Sequence, residues 1–199
     1  MNPRVLVFAG SNRTGAFSGR LAAAAALELG KVGAEVTRIS LIDYPLPIMD
    51  EDLERTQGIP DNAYRLARLF AAHNGILICS PEYNASIPPL LKNTLDWVSR
   101  ISKDNGKPLK PYQGKIAALC SSSDGAFAGI RGLIHLRAVT VNLGMMVISE
   151  QCSVPNANEA FDENGTLNNP RSQAALVKVA QSLTAICRAI GRPDLEGGF

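Results

Sequence analysis

Gly75-Ile76-Leu77-Ile78-Cys79 is an unbroken apolar run of strand length, closed by Ser80-Pro81. It lacks the apolar–polar alternation of a half-solvated strand, so it predicts a strand covered on both faces. Such a strand needs a layer above and a layer below, and crossover helices between parallel strands supply both. Lys115-Ile116-Ala117-Ala118-Leu119-Cys120 repeats the pattern further along the chain.

The remaining segments alternate in the same sense. Val5-Leu6-Val7-Phe8 reads as a first strand, followed by an alanine-rich helix over about residues 18–32 with Leu21, Ala25 and Leu29 on one face. Gly33 ends that helix, and Glu35-Val36-Thr37-Arg38-Ile39 reads as a second, more exposed strand. Pro45 and Pro47 mark a loop before a helix that opens at Asp61 and runs to about His73. Pro88 and Pro89 start the helix carrying Leu91, Leu95 and Val98. A helix over about residues 130–143 is expected to bury Leu133, Ile134, Ala138 and Val141, and Met145-Met146-Val147-Ile148 reads as the fifth strand. The stretch from Ser149 to Asn168 reads as a long polar loop. Asn169-Pro170 then supplies a cap and a first-turn proline for a last helix carrying Leu176, Val179, Leu183, Ile186 and Ile190. Five strands separated by helices predict an α/β doubly wound parallel sheet. We expect a single domain over residues 1–199, with 191–199 as a mobile tail.

Composition narrows the function classes. With 199 residues, a formal charge of +2 and no basic run, the chain offers nucleic acid no footprint. No stretch approaches the ~18 apolar residues that membrane insertion requires. Met1-Asn2-Pro3-Arg4 leads straight into a strand, unlike a signal peptide. Cys79, Cys120, Cys152 and Cys187 form no C-x-x-C pair, which argues against zinc, iron–sulfur and thioredoxin-type sites. They are expected as small buried hydrophobes in a cytoplasmic protein.

Three loops leave the carboxyl ends of strands one, three and four, where open α/β sheets place ligands. The first is Gly10-Ser11-Asn12-Arg13-Thr14-Gly15-Ala16-Phe17-Ser18. Its glycines, hydroxyls and arginine at a helix start suit an anion, although an ordinary capping loop with Ser18 as the cap has the same composition. Gly10 and Gly15 have P-loop spacing, but Ala16-Phe17 stand where Lys and Ser/Thr are required, and no G-x-G-x-x-G is present. A terminal phosphate monoester remains. The second loop, Ser80-Pro81-Glu82-Tyr83-Asn84 through Ile87-Pro88-Pro89, is stiffened by three prolines and suits a flat ring with polar edges. The third, from Ser121 to Gly129, is small-residued enough for close approach of such a ring, or is merely a flexible connection.

These segments resemble the NADPH-dependent FMN reductase family, which includes flavin, quinone, azo-compound and chromate reductases. The likeness rests on Gly10-Ser11-x-Arg13, Ser80-Pro81-Glu82-Tyr83-Asn84-x-Ser86-Ile87-Pro88, Leu91-Lys92-Asn93-Thr94-Leu95-Asp96-Trp97 and Gly129-Ile130-Arg131 with His135-Leu136-Arg137. The resemblance implies a flavodoxin-like fold, strand order 2-1-3-4-5, with FMN at the switch point. It implies Ser11, Arg13 and Ser18 around the FMN phosphate, and Pro81, Glu82, Tyr83 and Asn84 along the isoalloxazine ring. Ser121, Ser123, Gly125 and Gly129 would close the far side. The implied activity is hydride transfer from NADPH or NADH to FMN, then reduction of a small acceptor (a quinone, free flavin, azo compound or metal oxyanion) by ping-pong kinetics. The flavin carries the chemistry, so no catalytic side chain and no metal are expected. The resemblance also implies a homodimer or homotetramer; Leu95, Trp97 and Val98 would contribute either to that contact or to the core, which periodicity alone does not separate. Ala16, Ser18 and Ala128 depart from the residues common in the family and would weaken FMN binding at most. A flavodoxin-type electron carrier and a flavin-free regulatory protein of the same fold stay open as alternatives.

Overall fold

A computed structural model describes residues 2–190 of the protein. The tail expected over 191–199 lies outside the described residues. The elements are β1 (Arg4–Ala9), α1 (Phe17–Lys31), β2 (Glu35–Arg38), α2 (Glu51–Gln57), α3 (Asp61–Ala72), β3 (Gly75–Ser80), α4 (Pro89–Ser99), β4 (Lys103–Asp104), β5 (Lys107–Pro108), β6 (Ile116–Ser122), α5 (Ile130–Asn142), β7 (Met146–Val154) and α6 (Pro170–Ile190). The main sheet runs β2-β1-β3-β6-β7, every pair parallel, while β4 and β5 form a small antiparallel hairpin. Counting only the five main strands, the order is the 2-1-3-4-5 of a flavodoxin-like sheet.

The period-two geometry of the strands divides the core into two layers. Val5, Val7, Leu77, Cys79, Ala118 and Cys120 face α1 and α6. Leu6, Phe8, Ile76, Ile78, Ala117 and Leu119 face α3, α4 and α5. All four cysteines are free and buried in the first layer, and register sets Cys79 beside Cys120 and Cys120 beside Cys152. Burial raises the pKa of the Cys79 and Cys152 thiols and pushes Cys187 up to about 12, which disfavours thiolate and nucleophilic chemistry.

Several expectations need correction. The fifth strand does not end at Ile148: β7 continues to Val154 through the polar residues Ser149-Glu150-Gln151. It is an edge strand whose register slips against β6 between Ala117 and Leu119, and Arg137 donates to the Ile148 carbonyl at that irregularity (2.9 Å). Edge position and bulge together explain why polar residues are tolerated there. Helix α2 was invisible to an apolar pattern because none of its residues is buried; Asp50 caps it by accepting from Asp52 N–H at 2.8 Å. On α5, Leu133 is buried with Leu136 and Thr140, whereas Ile134 is 65% and Val141 55% exposed, and Ala138 is exposed as well. Two apolar stripes at helical spacing share that helix, and only one meets the core. Ile190 also faces solvent. Leu95, Trp97 and Val98, which the pattern left open between core and subunit contact, are fully buried within the protein. The Trp97 indole donates to the Pro47 carbonyl (2.8 Å), and Asn93 joins it, accepting from Met49 N–H (2.7 Å) and donating to the same carbonyl. These bonds tie the proline loop to α4.

Candidate functional site

The carboxyl ends of β1, β3 and β6 lie side by side, so the loops that follow them converge. Gly10 is the first point of contact. Its amide donates to the Cys79 carbonyl at 2.9 Å, and a Cβ there would sit 3.0 Å from the Leu91 side chain and 3.4 Å from Pro81. Only glycine lets the first loop rest against the second so closely.

The second loop is locked by its own chemistry. Tyr83 and Ser86 exchange both backbone bonds at 3.0 Å, closing a turn whose central residues Asn84 and Ala85 have φ of 50° and 63°. Two positive φ values in a two-residue turn define the type I′ geometry, which asparagine enters readily and alanine only with strain. Beyond the turn, Ser86 Oγ lies 2.9 Å from His135 Nδ1 on α5.

Glu82 joins the second loop to the start of α5, just beyond the third. Its buried carboxylate accepts from Arg131 Nε at 3.0 Å, from a second Arg131 nitrogen, and from the Gly132 N–H at 3.0 Å. Burial acts to raise the Glu82 pKa, but the Arg131 pair and the Gly132 amide outweigh it and leave the carboxyl below its ordinary value. The Arg131 guanidinium in turn stacks on Phe127, 4.9 Å from the ring centroid. Gly129, at φ 79°, makes the bend into α5, and a Cβ there would meet Ser121 Cβ at 3.0 Å.

Between these walls lies a cavity of about 190 Å³ lined from all three loops. Of the residues the sequence singled out, Ser11, Arg13, Ser18, Pro81, Glu82, Tyr83 and Ser123 line it. Asn84, Ser121, Gly125 and Gly129 do not. Asn84 shapes the turn, and Ser121 Oγ is bonded to the Ala128 carbonyl (2.6 Å) and to Ser153 Oγ (2.9 Å). Gly125 donates to Ser123 Oγ at 3.2 Å, within the outer part of the third loop. Ala16, Phe17, Ser122 and Asp124 line the cavity in addition. Strand parity would have found Ser122: Ala118 and Cys120 face α1, so Ser122 faces the first loop while Ser121 faces α5.

The site's polar groups carry the chemical information. Ser18 and Ser122 are 1% and 3% exposed, and neither hydroxyl has a hydrogen-bond partner. A buried hydroxyl left unpaired costs about 1–3 kcal/mol. Ser18 is not the helix cap: α1 begins at Phe17, and Ala16 at the cap position offers its first turn no side-chain acceptor. Arg13 approaches the Phe17 ring (5.4 Å) and enters no ion pair among the described residues. The uncapped first turn of α1, the unpaired Arg13 guanidinium and the Ser11 and Ser18 side chains line one part of the cavity, a donor set that suits a phosphate monoester. The donor set therefore fits the FMN phosphate, with the walls of the second and third loops left for its ring.

Residues 3–159 match the family described as NADPH-dependent FMN reductase. The chain belongs to that family. It is 33% identical over 179 residues to a quinone reductase of Escherichia coli, covering 85% of this chain and 90% of the relative. An NAD(P)H-dependent FMN reductase of Pseudomonas aeruginosa is 31% identical over 182 residues, covering 90% and 92%. The fold of a flavoenzyme NAD(P)H:(acceptor) oxidoreductase from Paracoccus denitrificans superposes with a TM-score of 0.78 at 21% identity, covering 96% of this chain and all of that one. As a member of the FMN reductase family the protein is an oxidoreductase that uses FMN and NAD(P)H, and among the described residues no helix is long and apolar enough to cross a membrane.

Proposed function

We propose that residues 1–199 act as one FMN-binding domain that passes reducing equivalents from NAD(P)H to a small acceptor, with quinones first among free flavins, azo compounds and metal oxyanions. The convergence of three loops on one cavity, with the Arg13 guanidinium outside any ion pair beside the uncapped start of α1, is the observation that carries this reading. When bound, FMN would supply the redox chemistry, and the residues around it would bind and orient it. Arg13, Ser11, Ser18 and the α1 amides anchor the phosphate. Pro81, Glu82 and Tyr83 form one wall of the ring site, with Ser122 and Ser123 opposite. Glu82 serves through position: its carboxylate is committed to Arg131 and Gly132, so it sets the spacing of the walls rather than moving a proton. Hydride donor and acceptor would share the face of the ring site in turn, which makes the kinetics ping-pong.

We also propose a homodimer or homotetramer in the cytoplasm. The exposed stripe Phe127, Ile130, Ile134 and Val141 beside the third loop supports the first, and four free cysteines support the second. Purified protein loaded with FMN should oxidise NADPH when a quinone is supplied, giving parallel double-reciprocal lines. Intersecting lines would defeat the ping-pong order, and no NADPH consumption would defeat the reductase reading.

A further inference from the structure

Resting on that reading, we propose that a second cavity, on the outer side of the first loop, seats the 2′-phosphorylated adenosine of NADPH, with Arg38 as the residue that reads the phosphate. The cavity measures about 430 Å³, more than twice the volume of the one between the three loops. It lies between the first loop, the start of α1 and the segment leaving β2. Ser11, Arg13 and Ala16 line both cavities, so a nucleotide seated in the outer one lies next to the flavin site.

The lining selects an anion with an apolar body. Three guanidiniums contribute, from Arg13, Arg20 and Arg38, and no carboxylate does. Arg20 is already engaged, stacked 4.6 Å from the Phe161 ring centroid and donating to the Phe161 carbonyl at 3.4 Å. Arg38 is exposed and enters no ion pair among the described residues. It ends β2, whose carboxyl end opens onto the crevice beside β1. Ile39 and Ile42, the latter 58% exposed, add an apolar shelf next to it. An unpaired guanidinium beside an apolar shelf suits a phosphorylated adenosine, whose base would cover the shelf while its 2′-phosphate meets the charge. NADH presents a hydroxyl where NADPH presents a phosphate dianion, and a guanidinium gains two charge-assisted bonds only from the latter. Arg38 thereby sets the preference for NADPH.

The test is calorimetric titration of the FMN-loaded protein with 2′,5′-ADP, 5′-AMP and inorganic phosphate. We expect 2′,5′-ADP to bind at least about tenfold tighter than 5′-AMP, as one charged bidentate contact allows. Arg38→Ala should abolish that difference and Arg38→Lys should keep part of it. In turnover, Arg38→Ala should raise the ratio of KM for NADPH to KM for NADH by a similar factor. Equal affinities for the two nucleotides, discrimination surviving in Arg38→Ala, or displacement of 2′,5′-ADP by millimolar phosphate alone would each overturn the proposal. Should the protein take up no FMN, the reductase reading fails by itself; the same titration on the flavin-free protein still reports on this cavity.

Discussion

The two ends of the cavity are built on opposite plans. At the Glu82–Arg131 end nearly every polar group is spent inside the protein: Glu82 on Arg131 and Gly132, Ser86 on His135, Ser121 on Ala128 and Ser153. At the Arg13–Ser18 end the donors are unspent, with Ser18 unpartnered and α1 uncapped by any side chain. The first end is a frame that fixes a gap. The second is a set of donors that only a ligand completes. Substitutions in the frame should therefore damage the protein itself, whereas substitutions among the free donors should damage only its grip on FMN.

Gly129→Val offers the largest effect. A β-branched residue at φ 79°, with its Cβ 3.0 Å from Ser121, should lower stability by about 3 kcal/mol, measured by urea unfolding of the FMN-free protein. A variant as stable as the parent would show that the third loop is not the fixed wall described above. Arg13→Ala should do the converse, weakening FMN by about 2 kcal/mol while leaving FMN-free unfolding unmoved. Flavin fluorescence titration and denaturant melts together read both halves.

Glu82→Gln sharpens the comparison through pH. Loss of the charged bonds should cost about 1 kcal/mol at neutral pH. Because the folded carboxyl sits below its ordinary pKa, its contribution is fully present above that ordinary value and is lost as pH falls through the folded one. The stability gap between parent and variant should thus close in acid; a gap constant across the same pH series would mean that the charge of Glu82 is not what holds the loops.

Ser18→Ala is the smallest change and carries two opposite signs. Removing a buried, unpaired hydroxyl should leave the FMN-free protein as stable or up to about 1 kcal/mol more stable, while FMN affinity falls several-fold. Destabilisation of the flavin-free form would mean that the hydroxyl has a protein partner.

The sequence showed the frame's ingredients but not their division of labour. Strand β3 was legible because both its faces are buried and its composition says so. Helix α2 was not, since nothing in it is buried, and β7 was cut short because its edge position allows polar residues that an interior strand would exclude. In the site, the Pro81–Asn84 loop stood out through its prolines. Ser121 and Ser122, however, differ only in the face they present, and that follows from strand parity once the strand is extended to its true end. The Glu82–Arg131 bond joins residues 49 positions apart, a distance that no local pattern spans.

The most direct measurement compares FMN with riboflavin, which keeps the ring and lacks the phosphate. If the unspent donors around Arg13 and Ser18 are a phosphate seat, FMN should bind at least about a hundredfold tighter by fluorescence titration, two charge-assisted contacts' worth. Equal affinity for the two flavins, or no binding of either, would contradict the account.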